Sequence, residues 1–335
     1  TSTVYKSSAA SDVYKRQNTP RGWRPGASRH AVEARAELLR DIRSFFHERN
    51  VLEVETPVLS RSGNSDPNIS SLSTDELPGR YLRTSPEYAM KRLLAAGFGD
   101  IYELGRVFRS GEKGRRHNPE FTLLEWYRQG MSYLDLADEV CDLIRFCGRG
   151  PFDDWPVERT SYRQLFLDHT GLDPFLCDES DLSSLAAERG LHAVSLSQLE
   201  WLDLILGEVI EPALPGEAIT VVYDFLPEQA ALSRLRQDDP PVAERFEVFL
   251  GQMELANGYQ ELTDAREQLS RFESEQKIAR ARGEETHPLD MALIEAIRNG
   301  LPDCSGVALG VDRLLMSITK LEQIDAVLTF STDRN

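Results

Sequence analysis

Between Val107 and Tyr127 the chain reads VFRSGEKGRRHNPEFTLLEWY, a short run that carries Arg109, Glu112, His117, Asn118 and Phe121 in that order. Those types suit a grip on a nucleoside triphosphate. When a carboxylate attacks an α-phosphorus, charge gathers on a crowded pentacoordinate centre, and planar, permanently charged donors stabilise it. Alternation after Pro119 puts Phe121, Leu123, Glu125 and Tyr127 on one face of a strand and Thr122, Leu124 and Trp126 on the other. One face can make a site while the other packs. Taken singly, the same residues also fit a basic turn between two strands, with Arg115, Arg116 and His117 solvated and the aromatics in a core.

A second constellation is acidic. In RFEVFLGQMELANGYQEL, Gly251 and Gln252 predict a two-residue hairpin, with Gly in the first position of a type II′ turn. Leu250 then faces Met253, Phe249 faces Glu254 and Glu247 faces Ala256. Glu247 and Glu254 become diagonal neighbours on one face, close enough to share an ion. Mg²⁺ is commonly held in this way, by few carboxylates and phosphate oxygens. Glu261 falls out of phase with Glu254 unless Asn257-Gly258 forms a bulge that turns it back. An exposed polar face is the simpler account of these glutamates. The third constellation, CSGVALGVDRLLM from Cys304 to Met316, predicts a strand with Gly306 and Gly310 and a helix opening near Asp312. Gly310 would let the backbone approach a ligand; alone, the pattern equally fits tight packing.

The elements that must position these residues are legible in outline. Residues Arg35 to Arg49 read as an amphipathic helix with Leu38, Ile42, Phe45 and Phe46 on one stripe, and Asn50 as a left-handed residue closing it. The strand VLEVETPVLS follows. Residues 131 to about 218 read as mostly helical, since YLDLADEVCDLIRF and QLEWLDLILGEVI show helical apolar spacing, and AITVVYDF is a strand stopped by Pro227. The fold class is α+β: an antiparallel sheet flanked by helices, one catalytic domain over 27–335, and a helical insertion at about 131–218.

At 335 residues, with 41% hydrophobic and 28% charged residues, the chain can bury a large core. Its 38 basic and 55 acidic residues give a net charge of −17, and no Lys/Arg stripe interleaved with aromatics marks a nucleic-acid surface. Residues 1–26 lack an apolar targeting region and are set aside as a disordered or non-native tail. No segment is apolar enough over its length to span a membrane. Cys141, Cys147, Cys177 and Cys304 form no C-x-x-C pair, so reduced thiols in a cytoplasmic protein are expected.

In order, these segments resemble motifs 1, 2 and 3 of the class II aminoacyl-tRNA synthetases. The likeness is strongest to the lysine branch, and within it to the tRNA-independent paralogues that attach β-lysine to elongation factor P. It covers roughly residues 30 to 335 and implies the class II catalytic core. It also implies that ATP and Mg²⁺ are used. Arg109 would be the catalytic cation at the α-phosphate, with Ser110 and Gly111 beside it. Glu112 and Asn118 would bracket the adenine loop, and His117 would approach the terminal phosphates. Phe121 would stack under a base covered by Arg313, the second catalytic cation. Glu254, Leu255 and Gly310 would complete the nucleotide site, while Glu247 and Glu254 would hold the metal. The helix, strand and Pro57 of motif 1 imply a homodimer.

The same resemblance places the segment TSPEYAMKRLL against the amino acid through Ser85, Pro86 and Glu87. A substrate with two ammonium groups and one carboxylate calls for an acidic residue at each end, here Glu87 and Glu261, with Glu125 and Tyr127 lining the pocket. Lysyl-tRNA synthetases usually carry Gly where Ala308 stands, and the elongation factor P ligases carry Ala; one methyl shifts discrimination by about 1 to 3 kcal/mol. Only a short polar tail precedes the first helix, where a synthetase has its anticodon-binding barrel, so tRNA is not the expected partner. The implied reaction is formation of a β-lysyl-adenylate and transfer to a lysine ε-amine of elongation factor P, with release of AMP. The rivals are a shortened lysyl-tRNA synthetase and a silent regulatory paralogue. Against silence stand Arg109, His117, Glu247, Glu254 and Arg313, all present.

Overall fold

Helix α1 (Arg29–Glu48) opens at Ser28, whose hydroxyl accepts from Ala31 N at 3.1 Å, and it buries Ala31, Leu38, Ile42, Phe45 and Phe46. It begins earlier than its apolar stripe because the cap lies upstream. Asn50 closes it in the left-handed region, at φ 54°. The structure, a computed structural model, describes residues 23–334 apart from 67, 68, 75, 195, 284 and 285, so 1–22 of the expected tail lie outside the described residues.

The strand expected over VLEVETPVLS is broken. Its start, β1 (Leu52–Glu53), joins the main sheet, whereas β2 (Leu59–Ser60) pairs in a small second sheet with β3 (Leu72–Ser73) and β4 (Tyr81–Leu82), in the order β2-β4-β3. Pro57 lies in the gap, and without an N–H it cannot continue a ladder. After α2 (Glu87–Ala95) come β5 (Ile101–Phe108) and β6 (Glu120–Gln129), joined by the 109–119 loop, and then α3 (Tyr133–Gly148). The next stretch holds β7 (Val157–Ser161), α4 (Tyr162–Thr170), α5 (Glu179–Glu188) and α6 (Gln198–Ile205), the last running into a π-turn at Leu206–Ile210. Then follow β8 (Ile219–Phe225), β9 (Leu235–Arg236), β10 (Val242–Leu250), β11 (Met253–Gln260), α7 (Ala265–Ala281), α8 (Met291–Gly300), β12 (Cys304–Gly310) and α9 (Val311–Thr319).

The main sheet runs β1-β5-β6-β12-β11-β10-β8-β7, with β9 on β10; it is antiparallel except at its outer pairs, β1 with β5 and β7 with β8. The final strand thus fills the centre. The back face carries the largest core, where Phe46 stacks on Tyr102 at 4.4 Å and meets Trp126 edge-on at 5.4 Å. Each such ring contributes roughly 1.5–3 kcal/mol by burial. Residues 131–218 are mostly helical, with β7 as an added edge strand. Residues of α3 belong to this back core, while α4, α5 and α6 enclose a second one around Tyr162, Phe166, Trp201, Phe225 and Phe249.

The front face is divided. The second core covers the β8–β10 end, and a third, built by α2, α7 and α8 around Met90, Phe272 and Ile294, covers the Ile101–Tyr127 end. Between them the middle strands stay open. Buried Asp312 ties the layers: its carboxylate accepts from Thr122 N at 2.7 Å and pairs with Arg35 of α1. Replacing Asp312 by Ala leaves a guanidinium largely buried without its partner and is expected to destabilise the fold by about 3–5 kcal/mol. Urea unfolding measures this; a loss under about 1 kcal/mol would mean that water reaches Arg35 and replaces the pair.

Candidate active site

Four strands set the floor. Glu125 of β6 lies opposite Ala308 of β12, which lies opposite Asn257 of β11, and Asn257 opposite Glu247 of β10. In the next row Tyr127, Gly306, Tyr259 and Arg245 follow one another. This corrects the expected register: Glu247 faces Asn257, not Ala256. A bulge is present, but at Leu255, because Val248 pairs with Ala256 and Phe249 with Glu254. It brings Glu254, Asn257, Tyr259 and Glu261 to one face. Gly258 has a different duty, since a Cβ there would fall on the Phe246 ring and Gly306 O. The hairpin turn is as expected, with Gly251 at φ 58°.

Above this floor lies a cavity of ≈ 220 Å³ lined by Ser85, Glu87, Arg109, Glu112, His117, Asn118, Phe121, Glu125, Tyr127, Glu254, Leu255, Glu261, Ala308, Gly310 and Arg313. Most of the residues singled out in the sequence therefore meet in one place. Ser110, Gly111 and Glu247 do not line it, and Pro86 faces a neighbouring cavity of ≈ 540 Å³ across the 84–87 segment.

One end of the cavity is cationic. The Arg109 guanidinium lies 5.1 Å over the Phe121 ring, donates to Thr84 O at 3.3 Å, and meets Glu112 at 3.4 Å. Arg313 donates to Glu254 O at 2.9 Å and approaches His117 Nε2 at 2.6 Å. Burial first, then the Arg313 charge, lower the pKa of His117, so its ring is neutral at pH 7 and Nε2 accepts from Arg313. The loop is tied from outside: Asn118 accepts from Thr332 N at 3.2 Å and Arg115 pairs with Glu322 at 2.6 Å.

The other end is acidic and buried. Tyr127 donates to Glu125 Oε1 at 2.7 Å, while buried Glu125 Oε2 has no hydrogen-bond partner among the described residues. Burial, reinforced by the Glu87 charge, pushes the Glu125 carboxyl up to about 8; burial opposed by Lys91 leaves Glu261 at about 7. The expectation of one acid at each end of a substrate needs correction. Glu87 and Glu261 lie together, sharing the ammonium of Lys91 at 2.7 and 2.5 Å. Lys91 was missed by sequence reasoning. Its signal was a lysine four residues after Glu87 and beside the buried Met90 of the same helix.

At the remaining corner, Glu247 pairs with Arg245 at 2.5 Å and Glu254 with Arg313 at 3.1 Å. Burial raises Glu247 to about 7 against the pull of Arg245, and the charges of Glu254 and Glu211 add to the rise. Glu211, at the end of the helical stretch, is a third acid that the sequence did not reveal; burial and Glu254 raise it to about 7. Among the described residues no cluster of three or more metal-ligating side chains is found. Two carboxylates of like charge fit a divalent cation that takes its other ligands from phosphate and water.

Gly306 separates two of the key groups. A methyl there would fall on the Tyr127 ring and Glu261 Oε1. For the amino acid and ATP that the resemblance implies, Gly306→Ala is expected to raise the amino-acid KM by about 10- to 100-fold, through displacement worth about 1–3 kcal/mol, while the KM for ATP stays as it is. Steady-state kinetics with each substrate varied in turn checks this, and an unchanged amino-acid KM would mean that the acidic end is not the binding end.

Comparison with known proteins agrees with this geometry. Residues 16–334 match the family described as tRNA synthetases class II (D, K and N). The elongation factor P–(R)-β-lysine ligase of Yersinia enterocolitica is 44% identical over 322 residues, covering 93% of this chain and 98% of the relative. The ligases of the same name from Salmonella typhi and Salmonella gallinarum give the same figures.

Proposed function

Because this chain belongs to the class II tRNA synthetases of the D, K and N group, an ATP-using family, we propose that it activates (R)-β-lysine and transfers it to elongation factor P. The observation that carries this reading is the polarity of one cavity, cationic at Arg109 and Arg313 and acidic at Glu87, Glu125 and Glu261. A molecule with two ammonium groups and a carboxylate lies across it with every charge opposed. In the first step the substrate carboxylate attacks the α-phosphorus of ATP and pyrophosphate leaves. In the second, a neutral lysine ε-amine of elongation factor P attacks the acyl carbon, loses a proton, and AMP leaves. Arg109 stabilises the phosphorus centre, Arg313 and Phe121 hold the adenine, and Glu112, Asn118, Leu255 and Gly310 shape its pocket. Neutral His117 orients Arg313.

Mg²⁺ would be held by Glu247 and Glu254, and when bound it neutralises phosphate charge. The Ala308 methyl, on the pocket floor opposite Glu125, favours β-lysine over α-lysine. The working unit is a cytoplasmic homodimer joined through α1 and the Pro57 segment. To test the reading, the purified protein is given ATP, Mg²⁺ and either lysine isomer, with elongation factor P and tRNA(Lys) offered together. The expected product is acylated elongation factor P, seen by intact mass and favoured by β-lysine. Acylated tRNA, or no AMP release, would overturn it.

A further inference from the structure

Lys91 is 1% exposed, yet both of its partners line the cavity. Its ammonium takes Glu87 Oε1 and Glu261 Oε2, at 2.7 and 2.5 Å. Glu261 Oε1 is thereby turned toward Gly306, and Glu125 Oε2 stands buried without a hydrogen-bond partner among the described residues. With all three ionised, three carboxylates against one internal ammonium leave two negative charges, which two substrate ammonium groups complement. We propose that Lys91 is a positioning residue that also sets the charge of the amino-acid pocket: by holding Glu87 and Glu261 together it aims their free oxygens at a diamino acid and fixes how much positive charge the pocket accepts. This rests on the reading of the site as a diamino-acid pocket.

Alternatives fare worse on charge. A buried pocket with three carboxylates and no internal cation would take up protons rather than stay ionised. Without that fixed ammonium, the two carboxylates would repel and leave their places. The groups facing Lys91 are Glu87 on its own helix, Glu261 just after β11, Glu125 from β6, to which Tyr127 donates, and Cys304 from β12. Burial by itself would lower the lysine pKa, but the charges of Glu261 and then Glu87 more than reverse this, so Lys91 stays protonated. In return, its charge lowers the pKa of both Glu125 and Glu261.

The test is amino-acid-dependent ATP–pyrophosphate exchange by wild type and Lys91→Met across a pH series. Lys91→Met is expected to raise the KM for β-lysine about 100-fold by freeing two buried carboxylates, with the KM for ATP unchanged. The acidic limb of kcat/KM for the amino acid should move to higher pH, because Glu125 and Glu261 lose a nearby cation and both hold their protons longer. An equal rise in both KM values, or lost thermal stability with KM and pH limb unaltered, would reduce Lys91 to a structural ion pair and overturn the proposal. Should the Met variant not fold, Lys91→Ala opens a space between the carboxylates that fits propylammonium; added propylamine then restores the KM, and no recovery also overturns it. Wild type that exchanges with no diamino acid would sink the functional reading itself. Active wild type with an indistinguishable variant would sink only the role of Lys91.

Discussion

Arg109→Ala is expected to slow adenylate formation about 10³-fold, the loss typical of one preorganised donor at a developing anion. Three contacts already fix the guanidinium: Thr84 O accepts from Nε, Glu112 steadies Nη1 and the Phe121 ring lies beneath. No reorganisation is then needed when charge builds on phosphorus. The effect belongs in kcat, because an interaction strongest in the transition state is removed. Arg109→Lys should recover little, since an ammonium offers neither the planar fork nor the contact with the ring. ATP–pyrophosphate exchange at saturating substrates reads the result directly. Retention of a tenth or more of the wild-type rate would assign the phosphate centre to Arg313 or Arg116 instead.

Glu261→Gln should leave that step intact at saturation and raise the KM for the diamino acid by about 10²- to 10³-fold, as expected when a buried charge loses its counter-charge. Gln keeps the shape of the side chain and removes its charge, and Lys91 retains Glu87 at 2.7 Å. Stability should move the other way with pH. Burial raises the folded-state pKa of Glu261 to about 7, above the ordinary carboxylate value. This glutamate therefore contributes stability at low pH that is lost as pH rises through about 7. Relative to wild type, the unliganded Gln variant should fare better at pH 8 than at pH 5. Thermal unfolding at the two values, with and without amino acid, checks it. A variant less stable by the same margin at both would show that the lysine pair, not carboxylate burial, controls this corner.

The sequence disclosed whatever is local. Phe121, Leu123, Glu125 and Tyr127 share a face because a period of two is imposed by the strand itself, and Gly251 turns the hairpin because positive φ is chemically easy there. Features set by distant partners were hidden. The bulge at Leu255 answers to pairing with β10, and Gly258 answers to the Phe246 ring. Whether α3 joins the back core or the helical insertion depends on which sheet face lies beneath it, which the helical repeat of its sequence does not encode. Lys91 was the costliest omission. A lysine on a helix is ordinarily solvated, and only the arrival of Glu261 from beyond β11 makes burial of this one tolerable.

The placement of β12 between β6 and β11 bears on synthesis. As the polypeptide leaves the ribosome, β6 and β11 emerge long before the strand that must separate them. Until Cys304–Gly310 arrives, both present open edges, with Leu124 and Trp126 on one and Ala256 on the other. The nascent chain can neither grip a nucleotide nor close its core, and is most exposed to mispairing just before β12 emerges. Assembly must wait for β12, which links the two halves of the catalytic floor in one closing event.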